Sequence, residues 1–161
     1  GMFHDLSSGK TTRPVMFPGR LSPLRTGLSS SPDGSLLVVS HDVGLLTVWK
    51  TADLISNPAP EPIQALGGIL LSFSSSGFSS DGSRLLGCSP GPEAIKIWET
   101  VSYHDLLTLT VEDATPRGAR LSPDGHYLAA RDGGRVFLWR AASWDEIQQA
   151  ENLEKQRLAT P

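Results

Sequence analysis

Polar and apolar positions along this chain fall into short blocks that recur. Ser31-Pro32-Asp33-Gly34 is followed by an apolar run from Leu36 to Ser40, a polar break at His41-Asp42, and a second run from Leu45 to Lys50 containing Trp49. Ser79-Ser80-Asp81-Gly82 leads in the same way to Arg84 to Ser89 and Ala94 to Glu99, with Trp98. Ser122-Pro123-Asp124-Gly125 leads to Tyr127 to Arg131 and Val136 to Arg140, with Trp139. The aspartates are 48 and 43 residues apart, and each lies 16, 17 or 15 residues before its tryptophan. Spacing this regular marks a structural repeat.

The chemistry inside each unit is consistent. Pro at the second position with Asp-Gly after it suits a tight turn, because Gly takes positive φ at no steric cost. Short apolar runs bounded by such turns read as strands. A further candidate strand precedes each turn, at Leu24 to Ser30, Ile69 to Phe78 and Arg117 to Ser122. Fourth strands fit near Pro62 to Leu66 and Asp105 to Val111. Each unit is therefore expected to be an antiparallel meander. Leu36-Leu37-Val38-Val39 and Val136-Phe137-Leu138-Trp139 are apolar on both faces. An antiparallel sheet with one wet face would alternate instead. Each small sheet is thus expected to sit between others, as stacked sheets do around the axis of a β-propeller.

Leu121-Ser122-Pro123-Asp124-Gly125, Val136-Phe137-Leu138-Trp139-Arg140, Ile95-Lys96-Ile97-Trp98-Glu99 and Leu46-Thr47-Val48-Trp49-Lys50 together resemble the WD-repeat β-propeller family, over about residues 20 to 141. The resemblance implies an all-β chain of three four-stranded antiparallel blades over 21–141, at about 40–45 residues per blade. It also implies that Val15 to Phe17, in the N-terminal tail 1–20, completes a blade as an outermost strand. Departures are visible. The family's Gly-His before the first strand is missing from all three units. Its aspartate between the second and third strands is kept at Asp42 and Asp132, but Ser89-Pro90-Gly91-Pro92 replaces it in the middle unit. The family's Asp–His–Ser–Trp network therefore cannot form in full.

After Trp139 no fourth strand is visible. Ser143 and Glu146 form a capping box, and Trp144, Ile147, Ala150 and Leu153 recur at helical spacing, so 142–161 is expected to hold a short helix over about 144–157. Three blades make half of a ring, since closed propellers have about four to eight. An open arc would leave two apolar sheet faces in water. The expected partner is a second copy, closing a six-bladed ring with Val15 to Phe17 of one chain added to the third blade of the other. The alternative is that the chain is a piece of a longer propeller.

Composition narrows the function. With 161 residues, 39% hydrophobic and 19% charged, the chain fits one globular domain. A net charge of −3 gives no basic footprint for nucleic acid. No apolar run approaches the roughly 20 residues that span a bilayer, and no secretory signal is read, so no membrane partner is expected. The single cysteine, Cys88, leaves no internal disulfide and fits a reducing compartment, with the cytoplasm as the expected location.

Candidate chemistry is sparse. Gly9-Lys10-Thr11 matches the end of a phosphate-binding loop, but His4 stands where its first glycine belongs. The histidines are dispersed without metal spacing, and Cys88 reads as a small core residue. Asp33, Asp81 and Asp124 are turn residues by position; Trp49, Trp98 and Trp139 should fill space between sheets. No catalytic residue, cofactor or metal is assigned. Function is expected in the non-repeated loops at the rim: His41 and Asp42; Pro90 and Glu93; Glu112 and Asp113 with Arg117; Arg131 and Asp132. Trp144 either staples the helix or anchors a partner. The expected role is a non-catalytic protein–protein interaction or assembly scaffold; the alternative is a propeller that binds a small ligand or hydrolyses a substrate at its central channel.

Overall fold

Turns every few residues leave little room for helix, and the chain is mostly β. The computed structural model describes residues 27–41, 44–67, 75–90 and 95–142, together with Glu146, Gln149 and Arg157. Strands β1 (Leu28–Ser30), β2 (Leu36–Ser40), β3 (Leu46–Lys50) and β4 (Gln64–Leu66) form a first antiparallel sheet in that order. Strands β5 (Ser75–Phe78), β6 (Arg84–Cys88), β7 (Ile95–Glu99) and β8 (Asp105–Leu109) form a second. Strands β9 (Ala119–Leu121), β10 (Tyr127–Asp132) and β11 (Arg135–Arg140) form a third, which has three strands among the described residues.

The turn between the first two strands is built the same way three times. In the first sheet the Ser31 hydroxyl donates to Asp33 Oδ1 (2.5 Å) and accepts from the Leu36 amide (2.9 Å). The Ser35 amide donates to the same carboxylate (3.0 Å), and the Gly34 amide to the Ser31 carbonyl (2.9 Å). Ser79, Asp81, Ser83 and Arg84 repeat these bonds, as do Ser122, Asp124, His126 and Tyr127. Gly34, Gly82 and Gly125 take φ of +72°, +73° and +73°, a region that disfavours any side chain. The end of each third strand is tied back to its turn: Thr51 to Ser35, Thr100 to Ser83, Ala141 to His126, all amide to carbonyl.

Directly opposed residues share a face. On the second sheet, Leu85 and Trp98 face the first sheet, where they pack with Val38, Leu46, Val48 and Leu66. On its other face, Leu86, Cys88, Ile95 and Ile97 pack with Ala119, Leu128 and Ala130 of the third sheet. The middle sheet is thus buried on both faces. Lys96 is taken out of water with it, and its ammonium meets the Asp105 carboxylate at 3.0 Å.

The two ends of the stack differ, which corrects the expectation of two apolar faces left in water. The outer face of the first sheet is covered. Val39 and Trp49 are fully buried, and they cluster with Leu54 of α1 (Thr51–Ser56), a helix that the sequence pattern did not signal. Among the described residues the third sheet is covered on its inner face only. Its outer face leaves Val136 75% and Leu138 65% exposed, so the two-sided apolar run there is not buried by the described residues. The expected strand at Val15 to Phe17 lies outside the described residues. So does the expected helix over 144–157, apart from Glu146, Gln149 and Arg157, each of which is helical.

Trp98 fills the space between first and second sheets, whereas Trp139 is only partly buried at the edge of the second core. Trp98→Ala should therefore cost about 3–5 kcal/mol, as large-to-small core changes do, and Trp139→Ala distinctly less. Urea unfolding of the two variants checks the order.

Candidate functional site

The repeated polar residues are occupied by structure. The Ser31 hydroxyl, then the Ser35 amide and hydroxyl, lower the Asp33 carboxyl to a pKa of about 2. The Ser79 hydroxyl, then the Ser83 amide and hydroxyl, do the same for Asp81, also to about 2. Asp124 is lowered by Ser122 first and the His126 amide next. His41 is buried rather than at the rim, which corrects its expected place on an interaction loop. Its Nε2 lies 2.8 Å from Thr47 Oγ1, and Trp49 Nε1 donates to that same oxygen at 2.8 Å. The tautomer of the ring decides whether His41 or Thr47 donates.

The non-repeated loops converge elsewhere, where the second and third sheets meet at one rim. The β10–β11 hairpin turns through Gly133-Gly134, with Gly133 at φ +55°, and this brings Arg135 opposite Asp132. Arg135 Nη2 donates to Asp132 Oδ2 (2.6 Å) and to the Asp113 carbonyl (2.8 Å). Its guanidinium also lies over the Phe137 ring, 5.5 Å from the centroid. The Thr115 hydroxyl donates to Asp132 Oδ1 (3.2 Å), and the Arg117 amide to the Arg131 carbonyl (2.7 Å). The segment from Val111 to Gly118 is therefore pinned to the hairpin at three points. Within it Asp113 sits at φ +52°, a left-handed conformation that Asp tolerates better than most residues.

The result is a cleft of about 480 Å³ lined by Pro90, Val111, Glu112, Asp113, Thr115 and Asp132. Four of the expected interaction residues, Pro90, Glu112, Asp113 and Asp132, line it together, with Arg117 and Arg131 exposed on the flanking strand ends. The Arg135 bond first, and the Thr115 amide next, hold the Asp132 carboxyl below the usual carboxylate range. Asp132 is thus ionised but engaged. Among the described residues, no hydrogen bond or ion pair holds the exposed Glu112 and Asp113 carboxylates. The cleft presents two available negative charges on a fixed backbone, an arrangement suited to a cationic group of a partner. Asp42, Glu93 and Trp144 lie outside the described residues.

Sequence reasoning missed Arg135, the residue that fixes the cleft. The available signal was its i,i+3 position to Asp132 across a two-residue turn. Among the described residues no three His, Cys, Asp or Glu side chains are grouped to hold a metal ion, and no helix is long and apolar enough to cross a membrane. Comparison with protein-family models finds no match, and comparison with curated proteins finds none.

The turn carboxylates make stability depend on pH. Their folded pKa values, about 2 for Asp33 and Asp81, lie below the ordinary value of 3.8. The stabilisation they give is complete above the ordinary value and is lost as pH falls through the folded one. Thermal midpoints should therefore fall between about pH 4 and about pH 2, and Ser79→Ala should flatten that fall by raising the folded pKa of Asp81. An unchanged profile in the variant would remove the Ser79–Asp81 bond as the cause.

Proposed function

We propose that the chain is a non-catalytic β-propeller module of the WD-repeat type, acting as a protein–protein interaction or assembly scaffold. In this reading residues 21–141 are three blades, half of a ring, and a second copy supplies the other half. Among the described residues the first two sheets have four strands and the third has three. Val15 to Phe17 of the second copy would fill the place beside β11.

The observation that supports the reading is the separation of roles among the polar groups. The repeated serines and aspartates are consumed by turn hydrogen bonds, and the repeated tryptophans by packing. Glu112 and Asp113, whose carboxylates carry no such bonds, stand together at an open rim where the loops do not repeat. A surface of that kind selects partners by charge complementarity and leaves the scaffold unchanged. The complementary partner carries a Lys- or Arg-rich segment.

Titration of the folded chain with a Lys/Arg-rich peptide tests this. Binding should weaken as salt rises, and Glu112→Gln with Asp113→Asn, which keeps a residue that tolerates the left-handed backbone, should weaken it by about tenfold or more. Glu151→Gln with Glu154→Gln, an equal change of charge elsewhere in the sequence, should leave it nearly unchanged. Equal losses from the two pairs, or indifference to both, would reduce the effect to net charge and overturn the cleft as interface.

A further inference from the structure

We infer that the outer face of the third sheet docks on the α1 end of the first sheet in a second copy, head to tail. The inference rests on the self-association in the reading above and assigns it a surface.

One side of the contact is the apolar strip on β10 and β11. Cross-strand pairing places Tyr127 opposite Arg140, Ala129 opposite Leu138 and Arg131 opposite Val136, all on the outer face. Tyr127, Val136 and Leu138 are 42%, 75% and 65% exposed. Arg131 closes one end of the strip. Arg140 closes the other and holds Glu146 through two bonds (2.9 and 2.7 Å). An apolar centre between guanidinium groups is the anatomy of an interface rather than of a solvated sheet.

Two isologous strips cannot satisfy one another. Arg140 of each copy already holds Glu146, so two facing strips would each bring a net positive charge through Arg131 and no carboxylate left unengaged to meet it. The opposite end of the stack offers the complement. There α1 covers Val39 and Trp49 with Leu54 and leaves Ile55 55% exposed, and the connection to β4 leaves Ile63 39% exposed. Along residues 50–63 two carboxylates, Asp53 and Glu61, stand against one ammonium, Lys50. Apolar meets apolar and acidic meets basic only when unlike ends join. The cover provided by α1 also moves the contact off Trp49, which has no exposed surface to give. A heterologous contact made twice about a two-fold axis closes two copies into one ring.

Sedimentation velocity on the full chain tests this, with Leu138→Glu and Ile55→Glu as variants. Both positions are exposed, so the thermal midpoint should hold and folding is controlled. The wild type should dimerise at micromolar concentration. Each variant alone should associate about a hundredfold more weakly, the scale set by burying an unpaired carboxylate. Mixing the two variants should restore a one-to-one dimer of intermediate strength, because one of the two junctions is then wild type on both sides. Loss in Leu138→Glu with none in Ile55→Glu would mean an isologous contact and overturn the head-to-tail arrangement. A wild-type dimer that neither variant disturbs would overturn these surfaces and leave self-association standing. A monomeric wild type would overturn both the inference and the half-ring reading, without touching the acidic cleft.

Discussion

Two-sided burial of the middle sheet holds this molecule together. A sheet of short strands gains independent stability only by burying an apolar face. Here β6 and β7 direct Leu85 and Trp98 one way and Leu86, Cys88, Ile95 and Ile97 the other, into two separate cores. Each large side chain buried in this way contributes on the order of 1.5–3 kcal/mol. Neither flanking sheet could be removed without exposing one of those sets. The stacking is therefore cooperative, and it sets the angle at which loops from neighbouring sheets approach one another. The cleft at the rim is a consequence. It exists because the β8–β9 connection must cross from the second sheet to the third beside the β10–β11 hairpin.

Much of this was legible in the sequence because it depends on short-range chemistry. Ser31, Asp33 and Gly34 interact within a span of a few residues, so the turn repeats wherever the residues do. Strand positions followed from the apolar runs for the same reason, as did Trp98 between sheets. What was not legible depends on tertiary context. The six residues of α1 are too few to show a helical period, and Lys50 provides no side-chain cap. Its formation follows from Leu54 reaching Val39 and Trp49. His41 looked like a turn residue beside a charged neighbour, yet the Thr47 hydroxyl draws it inward. The face of Val136 and Leu138 carries the same apolar pattern as the buried faces. A sequence pattern states that a face is to be covered, without stating whether the cover belongs to the same chain.

The cleft gains its definition from one side chain. Arg135 joins the Asp132 carboxylate to the Asp113 carbonyl and lies over Phe137, so hairpin, connection and core edge share a single anchor. Asp132 is engaged by that anchor. Glu112 and Asp113 are held in place through the backbone instead, which leaves their carboxylates available. The acid that stabilises the cluster and the acids that stay available are thus different residues of one loop cluster, so in the proposed reading removing an available charge need not loosen the fold.

The remaining asymmetry lies along the stack axis. An exposed strand edge beside an apolar face invites indiscriminate pairing, and natural sheets limit this with charged residues on the edge. On the outer face Arg131 of β10 and Arg140 of β11 close the two ends, with Val136 and Leu138 between them. In the proposed association the Arg131 guanidinium would disfavour a like strip from another copy, while the apolar pair favours burial. Affinity in that association would come from the centre of the strip and selectivity from its ends. The α1 end has the reverse charge and a helix in place of an open edge, so it can accept the strip without offering one of its own. A chain whose two ends differ in this way favours closure over open-ended growth only when the rotation per copy brings the second junction into register. That rotation is set by how the middle sheet packs on its two neighbours, so the core that stabilises one copy also determines whether two copies form a ring.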